Sequence, residues 1–282
     1  MSETSTAGTS DSGDAPRRYS LTQRRYLDLV EVDAALMADT ASVIDLDLAV
    51  PTCPGWTVRD ALLHTAEVYQ HKITCVRLGK APEPDWPPIG WPAPGDVADP
   101  VATLRRWAGE LLTELGAHPE DAHAPTWWPP DLTVGFWCRR MAHETAVHRV
   151  DVQSAAGWAS PVDPELALDG IDELLGINLS WDWSDASEED WAGVDPQAGV
   201  GLPLDLVVGE RRWRVELTPT GATVAGLAGE AFDGPVAAAT IAGAGSDVLL
   251  WGWGRLPDSA VTIDGDAGLV AAVKDRLRLS TQ

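Results

Sequence analysis

Positive charge is scarce in this chain: 20 lysines and arginines stand against 43 aspartates and glutamates, giving a formal net charge of -23 over 282 residues. No basic stripe is long enough to neutralise successive phosphates, which excludes nucleic acid and anionic membrane surfaces and leaves a small molecule as the expected partner. Cysteine is nearly as rare. Cys53, Cys75 and Cys138 are odd in number, and gaps of 22 and 63 residues fit neither a CxxC redox pair nor a clustered thiolate metal site. They read as buried or incidental thiols of a reducing compartment. Nowhere do about 18 apolar residues run uninterrupted, and the first residues, MSETSTAGTSDSGDAPRRYS, hold no apolar core of the kind a secretory signal requires. The expectation is a cytoplasmic protein, a monomer or weak homo-oligomer.

What is present is the composition of a folded protein: 45% hydrophobic and 22% charged residues, enough apolar surface for a real core. The length favours two domains or one domain with a large extension. Residues 1–18 are mostly Ser, Thr, Gly and Asp, with little to bury, and read as a disordered tail. Apolar residues then recur at helical spacing from Leu21 to about Ala38. Thr57 stands where an N-cap belongs, Asp60 follows three residues later, and Val58 to Leu78 contains no Gly or Pro, which predicts a second helix. Seven prolines between Lys80 and Pro100 predict a long crossover loop without secondary structure. Helices are expected again from Val101 to Gly116 and from Leu132 to Ala156, separated by a second Pro/Trp loop.

These four helices describe a bundle over residues 19–160. A further helix from Asp163 to Trp181 opens a connecting segment, 161–200. Beyond it Leu204 to Val208, Arg212 to Leu217, Thr223 to Ala225 and Ala237 to Ile241 read as short strands, with helices from Ser246 to Trp251 and Ala267 to Leu277. A small α+β domain over 201–282 is therefore expected, and the fold class of the whole chain is α+β.

Chemistry concentrates in the segment RRMAHETAVHRVD. Glu144 and His148 lie four residues apart, on adjacent turns of one helical face, and Asp151 continues the same stripe. His143 tempts a reading as a HExxH helix, but the second histidine follows at five residues instead of four, which turns the two rings to different faces. Another ligand must come from elsewhere. His64 sits amid Ala61, Leu62, Leu63 and Ala66 on the second helix, with His71 two turns on as the competing donor. Two neutral imidazoles and one carboxylate suit zinc or a similar divalent ion, and three protein ligands leave a position open for water or a thiolate. The plainer alternative is a core histidine plus a Glu/His pair at i,i+4 worth only about 0.3–0.5 kcal/mol. Of the fourteen tryptophans, Trp86, Trp91, Trp127 and Trp128 fall in loops where they could wall a pocket.

Three separated pieces, VPTCPGWTVRDALLHTAEV (Val50 to Val68), FWCRRMAHETAVHRVDVQSAAG (Phe136 to Gly157) and LLWGWGRLPDSAVTIDGDAGL (Leu249 to Leu269), resemble the mycothiol-dependent maleylpyruvate isomerase family. The resemblance implies a DinB-like, metal-binding four-helix bundle with a sterol-carrier-like C-terminal domain closing over it. It implies His64, Glu144 and His148 as metal ligands, and Asp151 and Arg255 as active-site residues, with Arg255 suited to a substrate carboxylate. Capping of the preceding helix is the simpler role for Arg255. The implied cofactors are zinc or another divalent metal and mycothiol, a low-molecular-weight thiol acting on a small-molecule electrophile. The implied chemistry is cis-trans isomerisation by thiolate addition and elimination. Mycothiol S-transfer and a non-catalytic, metal-stabilised ligand-binding protein are the alternatives.

Overall fold

The computed structural model describes residues 19–82, 86–88, 91–187 and 189–280. The tail expected over residues 1–18 lies outside them. Five helices come first: α1 (Gln23–Ala41), α2 (Val58–Leu78), α3 (Pro94–Ala98), α4 (Pro100–Gly116) and α5 (Val134–Ala156). Four of them make the bundle, with α1 and α2 each packed against α4 and α5.

Side-chain caps decide where these helices start. The Thr22 hydroxyl accepts the Arg25 N–H at the head of α1, and Thr57 and Asp60 form a reciprocal capping box at the head of α2. The Thr133 hydroxyl accepts the Phe136 N–H, so α5 begins at Val134 and not at Leu132 as expected. The stretch from Lys80 to Pro100 is also corrected, because α3 forms inside it. Pro94 occupies the first helical turn, where a missing N–H costs nothing, and the Asp96 carboxylate accepts the Ala93 N–H at 3.0 Å and Arg106 Nη2 at 2.7 Å.

After the bundle, α6 (Pro164–Glu173) continues as a π-helical turn, Leu174–Leu179, in place of the single helix expected to Trp181. A five-stranded sheet follows, built from β1 (Pro203–Val208), β2 (Arg211–Thr218), β3 (Gly221–Ala225), β4 (Ala239–Ala242) and β5 (Thr262–Gly265) in the order β3-β2-β1-β4-β5. Only β1 and β4 run parallel; the other neighbours are antiparallel. The β5 edge strand was not anticipated, since four residues with mostly exposed side chains carry almost no alternation of hydrophobicity. Helices α7 (Gly245–Gly252) and α8 (Ala267–Ser280) pack back onto the sheet, α7 against β1 and α6, α8 against β4 and the π-helical turn.

Trp137 anchors the core of the bundle, and Trp213 and Trp251 that of the sheet region, all fully buried. Each indole removed from water contributes roughly 4–6 kcal/mol of gross transfer free energy. Between the two regions lies α6. Its Asp169 accepts hydrogen bonds from Arg139 and pairs with His143 on α5, at 2.9 and 2.8 Å, while Asp172 accepts from Trp213 Nε1 at 2.6 Å and Arg211 Nη2 at 3.1 Å on β2. Gly170 permits the approach: a Cβ there would lie 3.0 Å from Leu249 on α7 and 3.1 Å from His143 Nδ1.

Candidate metal centre and its cleft

Helix α5 delivers most of the site because its apolar and polar faces are both buried. Glu144 and His148 project from consecutive turns, with Glu144 Oε1 3.2 Å from His148 Nε2. Across the bundle, α2 presents His64, whose Nε2 lies 3.4 Å from the same Glu144 oxygen. One donor atom from each of the three residues falls within 4.8 Å of the other two, a grouping compatible with a metal ion. His71 does not join them. It sits edge-on to Trp86, with ring centroids 5.0 Å apart. His143 points to the opposite side of α5, paired with Asp169, as the five-residue spacing requires.

Each member of the trio is held from behind. Asp151 Oδ2 lies 2.9 Å from His148 Nδ1, which leaves Nε2 facing Glu144. Arg140 donates to Glu144 Oε2 at 2.9 Å and, through its other terminal nitrogen, to Glu173 Oε2 at 2.5 Å, so the free oxygen of Glu144 is the one turned to the histidines. Trp56 lies nearly parallel to the His148 ring at 5.8 Å and tilted over His64 at 4.8 Å. The loop before α2 brings it there, turning at Gly55 with φ +87°, a conformation costly for residues with a side chain.

Electrostatics follow this geometry. Burial opposes ionisation of Glu144, but hydrogen bonds from His148 and His64 and the charge of Arg140 outweigh it and hold its carboxyl well below the usual range. Burial also works against a charged His148, yet Asp151 and Glu144 raise its imidazole to about 9. Asp151 is likewise buried and likewise held below the ordinary carboxylate range by His148 and Arg255. The Glu144 and Asp151 carboxylates thus favour positive charge at the trio, which is the electrostatic environment a divalent cation needs.

Arg255 arrives from the segment after α7. Its Nε and Nη2 fork onto the two oxygens of Asp151 at 3.1 and 3.0 Å, and its Nη1 donates to the Trp253 carbonyl at 2.9 Å. Thr52 donates to Asp151 Oδ1 at 2.6 Å, and Cys53 Sγ lies 3.4 Å from Oδ2. The structure thus brings all five residues singled out in the sequence, His64, Glu144, His148, Asp151 and Arg255, into one place. Sequence reasoning missed Arg140, Glu173 and Trp56. Arg140 could have been found, since it stands four residues before Glu144 on the same helical face. Nothing local marks Glu173.

The trio lies in a cleft of about 1060 Å³, lined on the bundle side by residues including Thr52, Trp56, Trp127 and Arg140, and on the other by Trp253, Arg255, Lys274 and Arg278. A side chamber of about 390 Å³, with Val68, Lys72, Trp86, Trp127 and Trp137 in its walls, shares Val68, Lys72 and Trp127 with the cleft.

A four-helix bundle that presents two imidazoles and a carboxylate to a cleft, with an α+β region closing the other side, defines the class of protein. Residues 29–153 match the family model described as the mycothiol maleylpyruvate isomerase N-terminal domain. Two crystal structures of mycothiol-dependent maleylpyruvate isomerase, one of them of a histidine-to-alanine mutant, superpose with TM-scores of 0.54 and 0.53, covering 88% of this chain and 95% of theirs. At 13% and 12% identity they establish a shared fold spanning both regions. No curated protein matches the sequence.

Proposed function

We propose that this protein is a metal- and mycothiol-dependent enzyme of the maleylpyruvate isomerase type, with His64, Glu144 and His148 as the ligands of a divalent ion, zinc fitting the donor set best. The observation that carries the reading is the convergence of the three donor atoms in a cleft large enough for a thiol and a second substrate. When bound, the ion supplies the charge that lowers a thiol's pKa, and mycothiol supplies a sulfur that adds reversibly to a cis double bond and is released once the bond has rotated.

The chain's own residues prepare that chemistry. Asp151 fixes the tautomer and orientation of His148, Arg140 holds Glu144, and Trp56 packs against both imidazole rings. Arg255 secures Asp151 and presents its remaining charge to the cleft, where an anionic substrate group would be attracted. Cys53 is a poor substitute for an external thiol. Burial first, and then the Asp151 carboxylate, push its thiol up to about 11. The division into a metal-binding unit (19–160), a connector (161–200) and a closing unit (201–282) is part of this proposal, as is residence in a reducing cytoplasm, which suits cysteines kept as thiols. No helix among the described residues is long and apolar enough to cross a membrane.

Mycothiol S-transfer is the second reading, favoured by the side chamber, which enlarges the cleft beyond what a small diacid occupies. Metal analysis of the wild type and a His64→Ala variant, followed by assays with mycothiol and maleylpyruvate or an electrophilic trap, tests both. Isomerisation leaves the thiol catalytic; transfer consumes it. A His64→Ala protein that retains a full equivalent of metal would refute the ligand assignment.

A further inference from the structure

We propose that the side chamber is a binding site for the aromatic ring of the electrophile, so that the substrate class is an aryl-substituted electrophilic alkene or carbonyl compound. The inference rests on the thiol-dependent reading for the chemistry, and on the chamber's own construction for the ring. Indoles from three separate parts of the chain wall it: Trp86 from the proline-rich crossover, Trp127 from the loop before α5, and Trp137 from α5 itself. A volume of about 390 Å³ lies at the lower end of small-molecule sites and suits one or two fused rings. Trp86 and Trp127 keep part of their ring surface accessible and favour a flat π-ligand over a branched aliphatic one, whereas Trp137 is buried, with Lys72 Nζ 4.7 Å over its ring.

The crossover wall is fastened to α2. Trp91 Nε1 donates to Glu67 Oε2 at 2.9 Å, and Trp86 meets the His71 ring edge-on at 5.0 Å. The chamber is consequently shaped before a ligand arrives, which lowers the ordering cost of binding. Its position matters equally. Val68, which borders both chamber and cleft, stands four residues after His64, about 6 Å along the axis of α2. A ring lodged beside it would hold an electrophilic double bond, attached directly to that ring, in the cleft beside the trio.

The test has two arms. In the first, 2-naphthol is titrated into the full-length, metal-containing protein and followed by NMR. It should bind in fast exchange, and Trp86→Ala should weaken it about three- to tenfold, with metal content and melting temperature unchanged. Equal affinity in Trp86→Ala would overturn the assignment, as would displacement of 2-naphthol by mycothiol alone, which would give the chamber to the thiol. In the second arm, benzylideneacetone and pent-3-en-2-one, the same enone bearing phenyl or methyl, are compared as acceptors of mycothiol. Wild type should prefer the phenyl compound at least tenfold in kcat/KM and Trp86→Ala should lose most of that preference; no preference in wild type would refute the proposal. If neither enone reacts, the aryl-electrophile substrate class is refuted, isomerisation is judged separately by the maleylpyruvate assay, and the naphthol titration still decides the chamber.

Discussion

Arg255 and Asp151, 104 residues apart, meet through two parallel hydrogen bonds, Nε to Oδ1 at 3.1 Å and Nη2 to Oδ2 at 3.0 Å. Asp151 in turn faces His148 Nδ1, so the segment after α7 is joined to the candidate metal centre by one carboxylate. Planar fork-on-fork pairing of this kind orients both partners, which a single ammonium contact cannot do.

Arg255→Lys should for that reason lower metal affinity by about tenfold, and Asp151→Asn by about ten- to a hundredfold, as loss of a carboxylate behind a ligating histidine does elsewhere. Competition with a chromogenic chelator measures both. Affinities unchanged from wild type would show that the Asp151 contact does not support the centre.

Glu173 should act in the same way at one further remove. Its carboxylate is buried and bonded to Arg140, which holds Glu144. Glu173→Gln is expected to weaken metal binding about tenfold. The comparison is Asp169→Asn on the same helix, which loses its pairing with Arg139 and His143 and should destabilise the fold by about 3–5 kcal/mol without touching metal affinity. If both variants lose affinity in proportion to stability, the Arg140 contact has no separate role.

Acid should unfold the protein through Asp169 in particular. Burial opposes its charge, but Arg139, His143 and Ser20 more than offset this and hold its carboxyl below the ordinary value. A carboxyl lowered in the folded state contributes stability that is complete above the unfolded carboxylate range and is lost as pH falls through the folded value. Denaturant midpoints from pH 5 down to pH 2 should fall for the wild type and more shallowly for Asp169→Asn. Parallel curves would contradict the assignment.

Cys53 should resist alkylation although it is only partly buried. With its thiol raised to about 11, only about a thousandth is thiolate at pH 8. Iodoacetamide labelling followed by mass spectrometry should be slow in the folded protein, quicken above pH 10, and reach the rate of a free thiol in guanidinium. Fast labelling at pH 8 would mean that burial and the Asp151 carboxylate do not act on the thiol as described.

Much of this architecture is written locally. Thr57 with Asp60, a run without Gly or Pro, and a proline-dense break are short-range signals, and the helices they bound differ from expectation by a few residues at most. The short α3 and the β5 strand escaped because five or four residues give too little periodicity to set against their prolines or exposure.

The i,i+4 relation of Glu144 and His148, the outward turn of His143, and the continuation of the stripe to Asp151 follow from 3.6 residues per turn and needed no partner helix. Bringing His64 to them, in preference to His71, depends on how α2 crosses α5, a matter of packing between side chains distant in the chain. Glu173 behind Arg140, Trp56 over the imidazoles and Arg255 on Asp151 belong to the same category. Contacts across 33 to 104 residues leave no periodic trace, because the chain records its own helical and strand repeats and not the surfaces those elements will meet.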